Sequence, residues 1–162
     1  MAGEWAALMF FPHGVMVLIT AAVTALAVGV HYEGLSLVSQ AVLARLPHRA
    51  RPRIMALVLA VLVIHVLEIW LFGLTYFWSL QLPAFGDLKA VEAGMAMRSL
   101  PDFAYFSAMV YTTVGFGDIV PRGPIRLLVG AQAITGLVLI TWTASYTFLE
   151  MQRFWRVGDR QF

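Results

Sequence analysis

At 162 residues the chain is long enough for one modest domain or a few membrane spans. Apolar residues make up 60%, charged residues 12%, and the mean hydropathy is +0.80, a balance that excludes a water-soluble domain of this size. The net charge of +2 gives nucleic-acid binding no support, and the lack of cysteine removes disulfides and thiolate metal sites.

The chain therefore reads as an all-α, multi-pass membrane protein. Its N-terminus lacks the charged start of a signal peptide, so the first apolar stretch is expected to be retained. Crossing roughly 30 Å of hydrocarbon takes about 20 helical residues. Three stretches meet that length: Leu8–Val30, Ile54–Trp78 and Ile125–Leu149. Pro12 is tolerable near a helix start, and Pro124 marks the start of the third span.

Between the first two spans, Leu35–Leu46 mixes Leu35, Val38, Val42 and Leu46 with Ser36, Ser39, Gln40 and Arg45. It fits an interfacial helix, a cytoplasmic extension of the first span or an ordinary loop, since Gly34 can break or bend the helix. Four residues, Arg45, Arg49, Arg51 and Arg53, make this loop basic, and Arg153, Arg156 and Arg160 lie beyond the third span. Positive charge marks the cytoplasmic side. The expected topology is thus N-terminus outside and C-terminus inside, with a prokaryotic plasma membrane as the expected location. The arginine cluster also suits anionic lipid, although the topology signal alone explains it. No span carries arginine at every third position, so a voltage sensor is not expected.

His65 and Glu68 lie one helical turn apart inside the second span. Ionisable groups at that depth are candidates for function, here gating or pH sensing. The plainer expectation, which weighs more, is a hydrogen-bonded link to the first span or to a group of the short helix after the outer loop. His13, His31 and His48 are scattered without ligand spacing. Gln81–Arg98 reads as that outer loop, with a helix-prone second half.

The stretch from about Ser99 to Val120 is too short and broken to span and reads as re-entrant. Pro101 and Asp102 are helix-start chemistry, predicting a helix to about Tyr111 with Phe103, Tyr105, Phe106 and Met109 as packing residues. Its C-terminal dipole would point negative potential at the next segment of chain. That segment is Thr112-Thr113-Val114-Gly115-Phe116-Gly117-Asp118. Gly115 and Gly117 permit positive φ, and irregular backbone at membrane depth is tolerated only along a water-filled path. Backbone carbonyls there can replace the hydration shell of potassium, with Val114 and Phe116 turned outward to brace the strand. One chain supplies one strand, so a ring needs a homotetramer.

In these features Ile54–Leu149 resembles the pore module of tetrameric potassium channels, with one extra N-terminal span. The resemblance implies passive potassium conduction, with the ion held by carbonyls of Thr113, Val114, Gly115 and Phe116 and by the Thr113 hydroxyl. Thr112, Gly117, Asp118, Tyr105, Phe106 and Met109 would support the filter, the two aromatics as a cuff and Asp118 at the outer mouth. Potassium is the transported ion, and no organic cofactor or enzymatic role is implied. Two departures stand out: Phe116 lacks the hydroxyl of the more usual tyrosine, and Met109 replaces a carboxylate found in some relatives. A filter braced by packing more than by polar links is expected, with faster collapse at low potassium. The alternatives are a non-selective cation channel or an auxiliary subunit that regulates a partner.

In the third span, Ile134, Val138, Thr141 and Ser145 share one face and are the expected pore lining. Gly136 is a candidate hinge and Gly130 a candidate for close approach to the pore helix. The resulting organisation is an extra helix (1–34), a basic loop (35–53), a pore domain (54–150) and a short tail (151–162).

Overall fold

The computed structural model describes residues 2–42, 50–91 and 97–158. Helix α1 (Ala2–Leu37) runs on through Gly34 and ends in a π-turn at Val38–Val42. Helix α2 covers Ala50–Ser79. A 3₁₀ turn (Pro83–Phe85) leads into strand β1 (Asp87–Ala90), then come helix α3 (Leu100–Tyr111), strand β2 (Ile119–Arg122) and helix α4 (Ile125–Gly158). Helices α1, α2 and α4 are each long and apolar enough to cross a membrane, and α3 is not.

The long helices pack together because each carries one stripe that the others bury. Met16, Val23 and Ala27 of α1 share a buried cluster with Phe72 and Tyr76 of α2, Phe103 and Phe106 of α3, and Ile125 and Leu128 of α4. Edge-to-face rings tighten the α2–α3 contact, Tyr76 on Phe106 at 5.2 Å and Phe77 on Phe103 at 5.6 Å. A second cluster joins Leu35 and Val38 to Leu57, Val61 and Ile64 of α2. As far as Val42, the segment from Leu35 therefore extends the first helix along α2. Arg45 and Arg49 lie outside the described residues, while Arg51 and Arg53 open α2.

Helix α1 rests against both α2 and α4 of its own chain. The exposed faces of the long helices remain rich in Leu, Val and Ile, as a lipid or subunit environment requires.

The outer loop departs from its sequence expectation. Its first half is a strand, and β1 pairs antiparallel with β2 in the register Asp87↔Arg122 to Ala90↔Ile119. The helix-prone second half falls mainly on 92–96, outside the described residues. The all-α architecture thus carries one short ribbon beside the re-entrant loop.

Candidate functional site: the re-entrant loop

Helix α3 starts where its sequence says it should. Ser99 and Asp102 form a capping box, with the Ser99 and Arg98 backbone N–H groups donating to the Asp102 carboxylate at 2.8 and 3.0 Å. These bonds, the Ser99 N–H foremost, hold the Asp102 carboxyl below its ordinary range. At the other end Thr112 closes the helix, its hydroxyl donating to the Ala108 carbonyl at 2.7 Å.

Beyond Thr112 the backbone leaves helical geometry in an alternating pattern. Thr113, Gly115 and Gly117 have φ of 59°, 48° and 78°, and Val114 and Phe116 between them do not fall in the positive region. In a plain strand successive carbonyls point to opposite sides. Alternating the sign of φ turns them toward one side, the arrangement a carbonyl ladder needs. Positive φ is free for glycine but strained for a β-branched threonine, so the strain at Thr113 sits at the start of the ladder. Backbone bonds from Thr113 N–H to the Val110 carbonyl (3.0 Å) and from Gly115 N–H to the Met109 carbonyl (3.2 Å) hold that start to the helix.

The rest of the loop has little support from its own chain. Val114 is 53% and Phe116 69% exposed, and a Cβ on Gly115 or Gly117 would meet nothing within 4 Å. The bracing expected of Val114 and Phe116 is therefore not supplied by the described residues of the chain. Phe106 faces inward against Tyr76, whereas Tyr105 reaches the loop, so the two aromatics do not act as one cuff here.

The Asp118 end of the loop is held by polar bonds. The Tyr105 hydroxyl donates to Asp118 Oδ2 at 2.9 Å, and the Val91 N–H donates to the Asp118 carbonyl at 2.8 Å. Asp118 thereby has a polar partner even though Met109 offers none. The carboxylate at its hydroxyl raises the Tyr105 phenol above its ordinary range.

Behind the loop, two polar assemblies lie in the apolar interior. In the first, Tyr76 donates to Gln132 Oε1 (2.6 Å), Gln132 Nε2 donates to the Ser107 carbonyl and hydroxyl oxygens (3.1 and 2.7 Å), and Ser107 donates to the Ile69 carbonyl (2.7 Å). It locks α2, α3 and α4 together. Neither Gln132 nor Ser107 was singled out from the sequence, although a lone glutamine in an apolar span is the signal for such a link. The second joins Glu68 to His31, His65 and Tyr111. The plainer expectation for His65 and Glu68, a link to the first span and to the pore helix, describes this geometry, and His31 belongs to it despite its distance in sequence.

In α4 the close approach to α3 is made at Gly136, the candidate hinge, and not at Gly130. A Cβ on Gly136 would stand 2.1 Å from the Tyr111 carbonyl oxygen, so Gly136 lets α4 touch the end of α3. A Cβ on Gly130 would meet nothing within 4 Å among the described residues. Ile134, Val138, Thr141 and Ser145 are all exposed on one side of α4, with the Thr141 and Ser145 hydroxyls donating to the carbonyls of Leu137 and Thr141.

A short helix that enters between two spanning helices and hands over to an exposed loop of alternating φ defines a pore-loop membrane protein. Residues 53–153 match the model of a family described as ion channels, and the chain belongs to that family. Its members share the two-span pore-loop plan and assemble as tetramers; α1 precedes the matched stretch. No curated protein and no solved structure matches the chain.

Proposed function

We propose that four copies of the chain form a potassium-selective channel whose filter is Thr113–Phe116. The observation that carries this reading is the alternating φ of Thr113, Gly115 and Gly117 directly beyond the C-terminus of α3. Each layer of the ring then offers four carbonyl oxygens, and the Thr113 hydroxyl closes the innermost layer. A potassium ion exchanges its water for these dipoles, while the negative end of α3 favours a cation below the filter.

In this arrangement Ile134, Val138, Thr141 and Ser145 face the cavity, which is consistent with their shared exposure. Arginine distribution supports the N-terminus outside, the C-terminus inside and Asp118 at the outer mouth. Arg51 and Arg53, with Arg45 and Arg49 of the preceding loop, suit the anionic inner leaflet. Conduction is passive and requires no voltage sensor.

The test is a reversal-potential measurement on purified protein in liposomes, with potassium on one side and sodium on the other. Reversal close to the potassium equilibrium potential is expected, with block by barium. Reversal near zero would assign a non-selective pore, and no current would assign an auxiliary role.

A further inference from the structure

Conduction makes no use of the most polar point in the membrane-spanning part of the chain. There His31 of α1 and Glu68 of α2 are fully buried, and His65 of α2 is 14% exposed. His31 Nδ1 lies 2.8 Å from Glu68 Oε1, and His65 Nδ1 lies 3.1 Å from Oε2 and 2.8 Å from the Tyr111 hydroxyl. That hydroxyl donates to Glu68 Oε2 as well. Thr143 of α4 completes the group, its Oγ1 at 3.3 Å from His31 Nε2.

Counting protons exposes an imbalance of charge. Tyr111 has a single proton and gives it to Glu68. The His65–Tyr111 contact therefore uses the proton on His65 Nδ1, and His31 Nδ1–H likewise donates to Glu68. With both imidazoles neutral, each carries its proton on Nδ1, and His31 Nε2 faces the Thr143 hydroxyl at 3.3 Å. The whole cluster retains the single negative charge of Glu68, whose ion-pair partners among the described residues are these two histidines. A buried charge at membrane depth calls for a counter-charge.

We propose that His31, His65 and Glu68 bind a divalent ion of the zinc class, with the Tyr111 oxygen as fourth donor. The three side chains each offer a ligand atom, and these atoms all lie within 4.8 Å of one another. Tetrahedral zinc with bonds of about 2.0–2.1 Å holds its ligands about 3.3 Å apart, so the histidine contacts at 2.8–3.1 Å open by a few tenths of an ångström. The shorter Tyr111–Glu68 contact opens further, and the separations among the three ligands, within 4.8 Å, adjust to the ion. Two imidazoles and one carboxylate favour zinc over magnesium or calcium. Binding moves each imidazole proton from Nδ1 to Nε2. For His31 that proton finds Thr143 Oγ1 as acceptor, the outer hydrogen bond that orients a metal-bound histidine. The ion would tie α1 to α2 and, through Tyr111, to the residue that precedes Thr112 and the filter.

The experiment loads full-length, chelator-stripped protein with zinc alone, removes unbound metal, and measures zinc per chain by mass spectrometry. Wild type is expected to retain about one zinc per chain, and His31→Gln and His65→Gln to lose affinity by about tenfold or more. Zinc-edge X-ray absorption on the wild type is expected to find two imidazole ligands, a readout that does not depend on the variants folding. Wild type that elutes as an intact oligomer yet keeps no zinc overturns the proposal. Retention unchanged in both variants, or an all-oxygen ligand set, overturns it too. None of these readouts depends on ion selectivity, so this site and the potassium pathway stand or fall separately.

Discussion

Tyr105 and Asp118 are joined across the Asp118 end of the re-entrant loop by a 2.9 Å hydrogen bond, and the Asp118 carbonyl is tied to Val91 by another. From the sequence, Phe116 and Met109 point to a filter short of polar braces. The phenol of Tyr105 supplies one from a position not assigned that role. Tyr105→Phe keeps the ring and removes the donor, so current recorded in low external potassium is expected to decay severalfold faster than in wild type. Unchanged decay would leave the Val91 backbone bond as the sufficient anchor. The raised phenol sets the pH sense of this link. A group whose folded pKa is raised contributes fully below its ordinary value, about 10 for tyrosine, and the contribution fades only as pH rises beyond it. The Tyr105 link is therefore intact throughout the physiological range. Residues of this kind were legible in part: glycine and aspartate in the loop announce backbone geometry, but a phenol that reaches across the loop leaves no periodic trace.

At the scale of elements, α3 is fixed at its middle and its C-terminal end by α2 and α4. Gln132 and Tyr76 hold its middle through Ser107, and Gly136 abuts its last carbonyl. Gly136→Ala would drive a methyl group into the Tyr111 carbonyl, and overpacking of this sort costs about 1–3 kcal/mol. Thermal dissociation of the purified assembly is expected to begin at a distinctly lower temperature in that variant, while Gly130→Ala leaves it unchanged. Equal loss in both would remove the assignment of Gly136 as the contact. The three spans and the re-entrant helix were readable because length, hydropathy and capping are local properties; Pro101 and Asp102 announce α3, and Pro124 announces α4. The β1–β2 ribbon was not readable, since Asp87–Ala90 alternates polar and apolar residues over only four positions, and Ile119–Arg122 does not alternate and contains Pro121; both acquire strand geometry by pairing. His31 was missed for a related reason: its partner lies 37 residues away, and helix packing alone brings them together.

At the scale of the whole molecule, α1 is part of the pore unit. Met16, Val23 and Ala27 share a core with the helices that carry the loop, and His31 meets Glu68 and Trp142, with ring centroids of His31 and Trp142 5.2 Å apart. If the filter is completed by four chains and filled by potassium, the ion is a ligand of the assembled state only, and ligands stabilise the state that binds them. The tetramer is expected to dissociate at a higher temperature in potassium than in sodium at equal ionic strength. Identical temperatures would count against ion binding at Thr113–Phe116. The exposure of Val114 and Phe116 carries a cellular meaning as well. On the proposed reading, a newly inserted chain, alone in the bilayer, carries one quarter of the conduction path and encloses no passage. Synthesis and storage of single subunits therefore leave the ion gradient of the cell intact, and permeability arises only at the moment the ring closes.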